Sequence, residues 1–207
     1  MDWNFLAQAV VTMLVITAPP DPAKILFFNS IVDQRGSSRT SAALRVALVV
    51  LSILGGASLV GGQLAELLGI DLNAFSVVGG LVVAGMGFEM LYGGETSKTQ
   101  GQQTSREGPD ADSGLIMPLS IPLIAGPGAI VAVVGIASSN DEYGIVAALI
   151  ASASVALVAF IAFQFLGGLL AQMSPRTTAL LLRIGGMLLA TIGMQMLLGG
   201  LKNYFAS

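Results

Sequence analysis

Along this chain, apolar stretches long enough to cross a membrane alternate with short polar ones. Spanning the hydrocarbon as a helix takes ~20 apolar residues. Six such stretches run at roughly 5–31, 42–64, 73–93, 115–138, 144–170 and 178–201. They predict an all-α polytopic membrane protein with six transmembrane helices. Two of the six are interrupted. The first holds TAPPDP at 17–22 and is expected to be a broken helix whose second half starts near Asp21 or Pro22. The fourth holds IPLIAGPGAI at 121–130, with two prolines and two glycines, and is expected to be broken as well. The opening MDWNFLAQAV has no basic region and no small-residue cleavage site, so it reads as the start of the first span.

The loops between spans differ in charge. Arg35, Arg39 and Arg45 flank the first loop, Lys98 and Arg106 lie in the third, and Arg176 and Arg183 flank the fifth. The opposite side has only Lys202, and Lys24 falls inside the first span. Basic residues concentrate on the cytoplasmic side of short loops. An even number of spans with both termini outside the cytoplasm is therefore expected. Residues 94–113, GETSKTQGQQTSREGPDADS, contain too little apolar surface to build a core and read as a flexible cytoplasmic linker. No motif in that stretch favours a regulatory role.

The third and sixth stretches share a pattern. VGGLVVAGMGFEMLYGG at 78–94 and IGGMLLATIGMQMLLGG at 184–200 match at an offset of 106. The shared pairs include Gly79/Gly185, Gly80/Gly186, Ala84/Ala190, Gly87/Gly193 and Met90/Met196. Gly61-Gly62 and Gly167-Gly168 keep the same offset, and a slip of one residue puts Pro22 over Pro127. The chain thus divides into 1–93, a linker at 94–113 and 114–207, two copies of a three-span unit. Because three is odd, the second copy enters the membrane from the opposite side. This is the inverted-repeat plan of many secondary transporters, whose discontinuous helices meet near the midplane. The shared glycines Gly79, Gly80, Gly185 and Gly186, with Gly55, Gly56, Gly61 and Gly62, are expected to serve helix packing.

Composition narrows the chemistry. The 207 residues are 54% hydrophobic and 10% charged, with 26 glycines and mean hydropathy +0.82, whereas soluble domains carry about 25% charged residues. With no Cys and no His, thiol chemistry, disulfides, thiolate metal sites and the commonest general base are absent. No paired carboxylates or nucleophile–base set stands in the spans, so neither an enzyme nor a metal or cofactor is expected. A net charge of −3 without a basic run gives nucleic acid nothing to hold.

The breaks supply the candidate site. Irregular backbone at membrane depth is tolerated where it is buried in protein or lines a cavity. Each break frees N–H groups at the start of a half-helix, where the macrodipole is positive and suits a carboxylate. Pro20, Asp21, Pro22 and Lys24 from the first break, with Ala125, Gly126, Pro127 and Gly128 from the second, are the expected substrate-binding residues. The rival reading is that the prolines kink two helices for packing. Asp21 would cap its half-helix, hold a substrate ammonium or bind a coupling proton or sodium ion. Lys24, three residues on, shares its face and would pair with Asp21 or meet a substrate carboxylate. Glu89, near the end of the third span, is a second coupling candidate, set against the reading that it reaches interfacial water. Gln164 and Gln195 are expected to form interhelical hydrogen bonds.

PLSIPLIAGPG at 118–128 resembles the segment that marks the MarC family of bacterial inner-membrane proteins, a UPF0056-type family. PPDPAKILFF at 19–28 is similar to the break and Phe-containing stretch of that family's first span. Gly79-Gly80 through Met90-Leu91 is similar to its third. The resemblance covers nearly the whole chain. It implies a six-span inner-membrane protein, related in plan to LysE-type amino-acid exporters, with small neutral amino acids such as alanine and glycine as the expected substrate class. One departure is Ala23-Lys24, where the family often has Gly, and it implies an altered anion preference. A non-transporting scaffold or accessory subunit and a passive small-solute channel are the alternatives. A homo-oligomer is compatible with any of the three.

Overall fold

A computed structural model describes residues 3–17, 28, 32, 38–92, 125–139, 143–166 and 174–206. All the regular structure among them is helical: α1 (Trp3–Thr17), α2 (Arg39–Leu67), α3 (Leu72–Tyr92), α4 (Pro127–Ala137), α5 (Gly144–Ile161) and α6 (Pro175–Ala206). A π-helical turn at Ala162–Leu166 extends α5. α2, α3, α5 with its π-turn, and α6 are each long and apolar enough to cross a membrane. α1 and α4 are apolar but shorter, at 15 and 11 residues. At 1.5 Å per residue α4 reaches about 16 Å, roughly half the hydrocarbon thickness. These two lie inside the stretches expected to be broken. α1 is described as far as Thr17, and α4 starts at Pro127. The linker at 94–113 lies outside the described residues.

Two boundaries depart from the hydrophobic pattern. α2 begins at Arg39 and α6 runs 32 residues, because helical hydrogen bonding continues past the apolar run into the polar zone at each end. The α2–α3 connection is tight for a local reason. Gly69 takes φ 67°, the Gly69 N–H donates to Glu66 O at 3.0 Å, and the Ile70 N–H donates to Ala65 O at 2.8 Å. That closes α2 with a Schellman motif, which needs a left-handed residue. Asp71 Oδ1 then accepts from the N–H groups of Asn73 at 2.6 Å and Ala74 at 3.2 Å, capping α3.

Small residues set the packing. A Cβ on Gly80 would stand 2.5 Å from Leu197 N and 2.6 Å from Gly193 O of α6. A Cβ on Gly186 would stand 2.8 Å from Gly87 O and 3.0 Å from Leu91 N of α3. At the offset of 106, Gly186 corresponds to Gly80, Gly87 to Gly193 and Leu91 to Leu197. A second pair repeats the correspondence. Gly193 meets Ala84 N and Gly80 O, and Gly87 meets Ala190 N and Gly186 O. α3 and α6 therefore pack antiparallel, backbone against backbone, about a local two-fold centred near Ala84 and Ala190. Such close approach is how helices associate in lipid, where hydrophobic burial gives little net drive.

α2 and α5 also pack antiparallel. Gly55 approaches Leu149, and Thr40 approaches Gln164 at the other end. α4 sits among these helices and is largely buried: Gly128, Ala129, Val131, Ala132, Val133 and Val134 all belong to the interior. Leu44, Leu48, Leu81, Leu157 and Leu188 point outward instead, which suits a surface solvated by lipid.

Candidate functional site at the start of α4

The start of α4 is written in three residues. Gly126 is the N-cap, with φ −65° and ψ 170°, and offers no side chain to cap the turn. Pro127 at the first helical position is preset for helix and has no N–H to leave unpaired. The Ala129 and Ile130 N–H groups both donate to Gly126 O, at 3.0 and 3.1 Å. Helix geometry leaves the Gly128 N–H without an intrahelical acceptor. Gly126 itself makes no side-chain cap hydrogen bond. A helix start of this kind carries partial positive charge.

Neighbouring helices fix the depth of this terminus. Gly128 abuts Val83, so closely that any Cβ would collide with the valine methyl. Val83 is the twelfth of the 21 residues of α3, a helix of about 31 Å. It also adjoins the centre of the α3–α6 two-fold. α4 then runs outward from that middle depth, Val131 filling the notch at Gly79, Val134 the one at Gly61, and Ser138 lying against Gly62. The terminus has two sides. Ala125 and Gly128 are buried, Gly126 is half-buried and Pro127 is exposed.

Ala125, Gly126, Pro127 and Gly128 run consecutively into the start of α4, and residues 93–124 lie outside the described residues. Pro20, Asp21, Pro22 and Lys24 fall outside the described residues. Glu89 lies on the exposed side of α3, six residues beyond Val83, and the structure does not bring it to the start of α4. Gly79 lies against Val131, Gly80 against Leu197 and Gly186 against Met90, and Gly185 is half-buried. The expected bond from Gln164 is present: its Nε2 donates to Thr40 Oγ1 at 3.2 Å. Gln195 is exposed. No group of metal-ligating side chains stands together among the described residues.

Sequence reasoning missed three features. Thr17, buried at the end of α1, donates its hydroxyl to Met13 O at 2.6 Å. Arg39 Nε donates to Phe163 O in the π-turn at 2.9 Å. Val83 emerges as the residue facing Gly128. A hydroxyl directly before the Ala-Pro-Pro run was a signal for the first. The π-turn leaves none in the apolar pattern.

Comparison with known proteins agrees with this architecture. The pattern of the family described as MarC family integral membrane protein matches residues 3–205. The UPF0056 membrane protein YvbG of Bacillus subtilis (strain 168) is 24% identical over 207 residues, covering 99% of this chain and 98% of its own. The UPF0056 membrane protein PYRAB13050 of Pyrococcus abyssi is 27% identical, covering 96% and 95%. The UPF0056 inner membrane protein MarC of Escherichia coli O157:H7 is 25% identical, covering 95% of each. No solved structure matches the chain.

Proposed function

The chain belongs to the MarC family of integral membrane proteins, and we propose that it is a secondary transporter or exporter of small polar metabolites, small neutral amino acids foremost, working by alternating access. One observation carries the reading: a helix start whose N-cap, Gly126, has no side chain, Gly126–Pro127–Gly128, stands against Val83 at the mid-depth of α3. A backbone interruption there needs protein or an aqueous path around it.

In this reading the six spans form two inverted repeats, 1–93 and 114–207, joined by the cytoplasmic linker 94–113. The Gly80/Gly193 and Gly186/Gly87 contacts support it, since they are mates at the repeat offset. The first break, with Pro20, Asp21, Pro22 and Lys24, would face the second across the pseudo-two-fold. A substrate carboxylate would meet the Gly128 N–H and the positive ends of the half-helices. Its ammonium would meet Asp21, which would also take the coupling proton or sodium ion. Glu89, exposed on α3, is the lesser coupling candidate. The protein would lie in the inner (plasma) membrane with both termini outside the cytoplasm, and neither a cofactor nor a catalysed reaction enters the mechanism.

Uptake of radiolabelled alanine into proteoliposomes tests this reading. Saturable uptake that is lost in an Asp21→Asn, Gly128→Val double variant supports it. Equal uptake by both proteins would reject the site, and uptake that never saturates with solute would indicate a channel.

A further inference from the structure

The contacts at the Arg39 end of the bundle have no counterpart at their repeat-related positions. Arg39, the first residue of α2, donates from Nε to Phe163 O across 124 residues of sequence. Thr40, beside it, accepts from Gln164 Nε2. Both acceptor and donor on the far side belong to the π-turn Ala162–Leu166. A π-turn widens the helix and takes carbonyls out of their regular register, and such turns recur at functional places in helices. Here Arg39 takes up one of the displaced carbonyls. The Phe163 ring also lies 4.7 Å, centroid to centroid, from the fully buried Phe28 ring. One turn of α5 is thus held from three points on the N-terminal half of the chain.

At the offset of 106, Arg39 and Thr40 correspond to Ile145 and Val146, and Phe163 and Gln164 to Ala57 and Ser58. Ala57 and Ser58 lie within α2, which runs from Arg39 to Leu67 as regular α-helix. The Ser58 hydroxyl donates to Gly55 O of its own helix at 2.7 Å. Ile145 and Val146 have no side chain able to hydrogen-bond. The contacts at that end are of another kind, Gly61 and Gly62 receiving Val134 and Ser138.

We propose that Arg39, Thr40 and Gln164 form a latch across the two halves, and that its release opens the Arg39 end of the bundle towards the start of α4. The chemistry of the two ends differs in the way this requires. Interlocked glycine notches have no alternative partner, whereas hydrogen bonds at a helix end can be exchanged for bonds to water. Gln164 Oε1 is buried and accepts no hydrogen bond from the described residues. Water entering at this end would supply it with one, so the closed latch carries a built-in bias toward release. The inference rests on the reading that Gly126–Gly128 lies on a solute path, but its test needs no substrate.

The chain has no Cys, so a single introduced thiol reports without background. Ala129→Cys places the reporter at the buried start of α4, and exposed Ser38→Cys in a separate protein marks the Arg39 face of the vesicle. A membrane-impermeant maleimide is applied from each face in turn. Arg39→Ala with Gln164→Ala is expected to speed labelling of the reporter from the Ser38 face by about tenfold, the scale of losing one or two net hydrogen bonds. The opposite face should change less than about twofold, as should the control Ile145→Ala. Arg39→Lys, which keeps the charge and lacks the Nε donor, should also speed labelling from the Ser38 face. Should the double variant fail to fold, an oxidised Thr40→Cys, Gln164→Cys pair tests the opposite sign and should slow labelling relative to its reduced form. Unchanged labelling in every variant, or equal acceleration from both faces, would overturn the latch. Face-specific acceleration without alanine uptake would uphold the latch while rejecting the transport reading.

Discussion

The α3–α6 and α2–α5 contacts run antiparallel in the same manner, yet one joins bare backbones and the other is finished by side chains. In the first, Gly80, Gly87, Gly186 and Gly193 bring main-chain atoms together in mated pairs. In the second, buried residues such as Ala43, Val46, Ala148 and Ala151 line the helices, and Arg39 and Thr40 tie one end to Phe163 and Gln164 of the π-turn. Backbone packing of the first kind is symmetrical and continuous, which suits a joint that keeps its geometry. Hydrogen bonds of the second kind are discrete and one-ended, which suits a joint that opens.

The largest expected effect lies at the backbone joint. Gly80→Val and its mate Gly186→Val drive methyls into main-chain atoms that no rotamer change can relieve. Each should destabilise the fold by about 3 kcal/mol or more, the upper range for overpacking, read as loss of the monodisperse peak or a steep fall in Tm in detergent. The mates should match each other. A large difference between them would break the local two-fold. Gly56→Ala and Gly85→Ala, whose added Cβ meets nothing within 4 Å, should instead be neutral or stabilising, by up to about 1 kcal/mol.

A smaller effect is expected at the start of α4. Gly128→Ala meets a side chain, Val83 Cγ2, and not backbone. It should cost about 1–3 kcal/mol, and a compensating Val83→Ala should recover part of that loss. Absence of coupling between the two substitutions would separate Gly128 from Val83 and remove the mid-depth placement. The smallest effect belongs to the α3 cap. Asp71→Ala removes the acceptor of two N–H groups and should lower stability by about 1 kcal/mol without altering labelling or transport.

Much of this was legible in the sequence because lipid imposes simple rules. Apolar length located α2, α3, α5 and α6, and the glycine matches at a fixed offset named the residues that later proved to touch. The start of α4 at Pro127 was readable because a Pro–Gly pair in an apolar run has few other uses. Its partner Val83 was not readable, since one valine in a valine-rich helix carries no mark. The π-turn was hidden for a similar reason: AFQFL is as apolar as the helix it widens. Glu89 drew attention as an ionisable group in a span, but helical phase turns it outward, and a near-uniformly apolar helix conceals that phase.

The geometry at issue is whether the two interruptions face each other at mid-depth. With no native Cys, Asp21→Cys and Gly126→Cys can be introduced together and oxidised with copper–phenanthroline in membranes. Facing breaks predict rapid intramolecular cross-linking of this pair and none between Ser38→Cys and Gly126→Cys. Failure of the Asp21–Gly126 pair to cross-link, in a protein whose Thr40→Cys, Gln164→Cys pair does so, would place the interruptions apart and contradict a shared site.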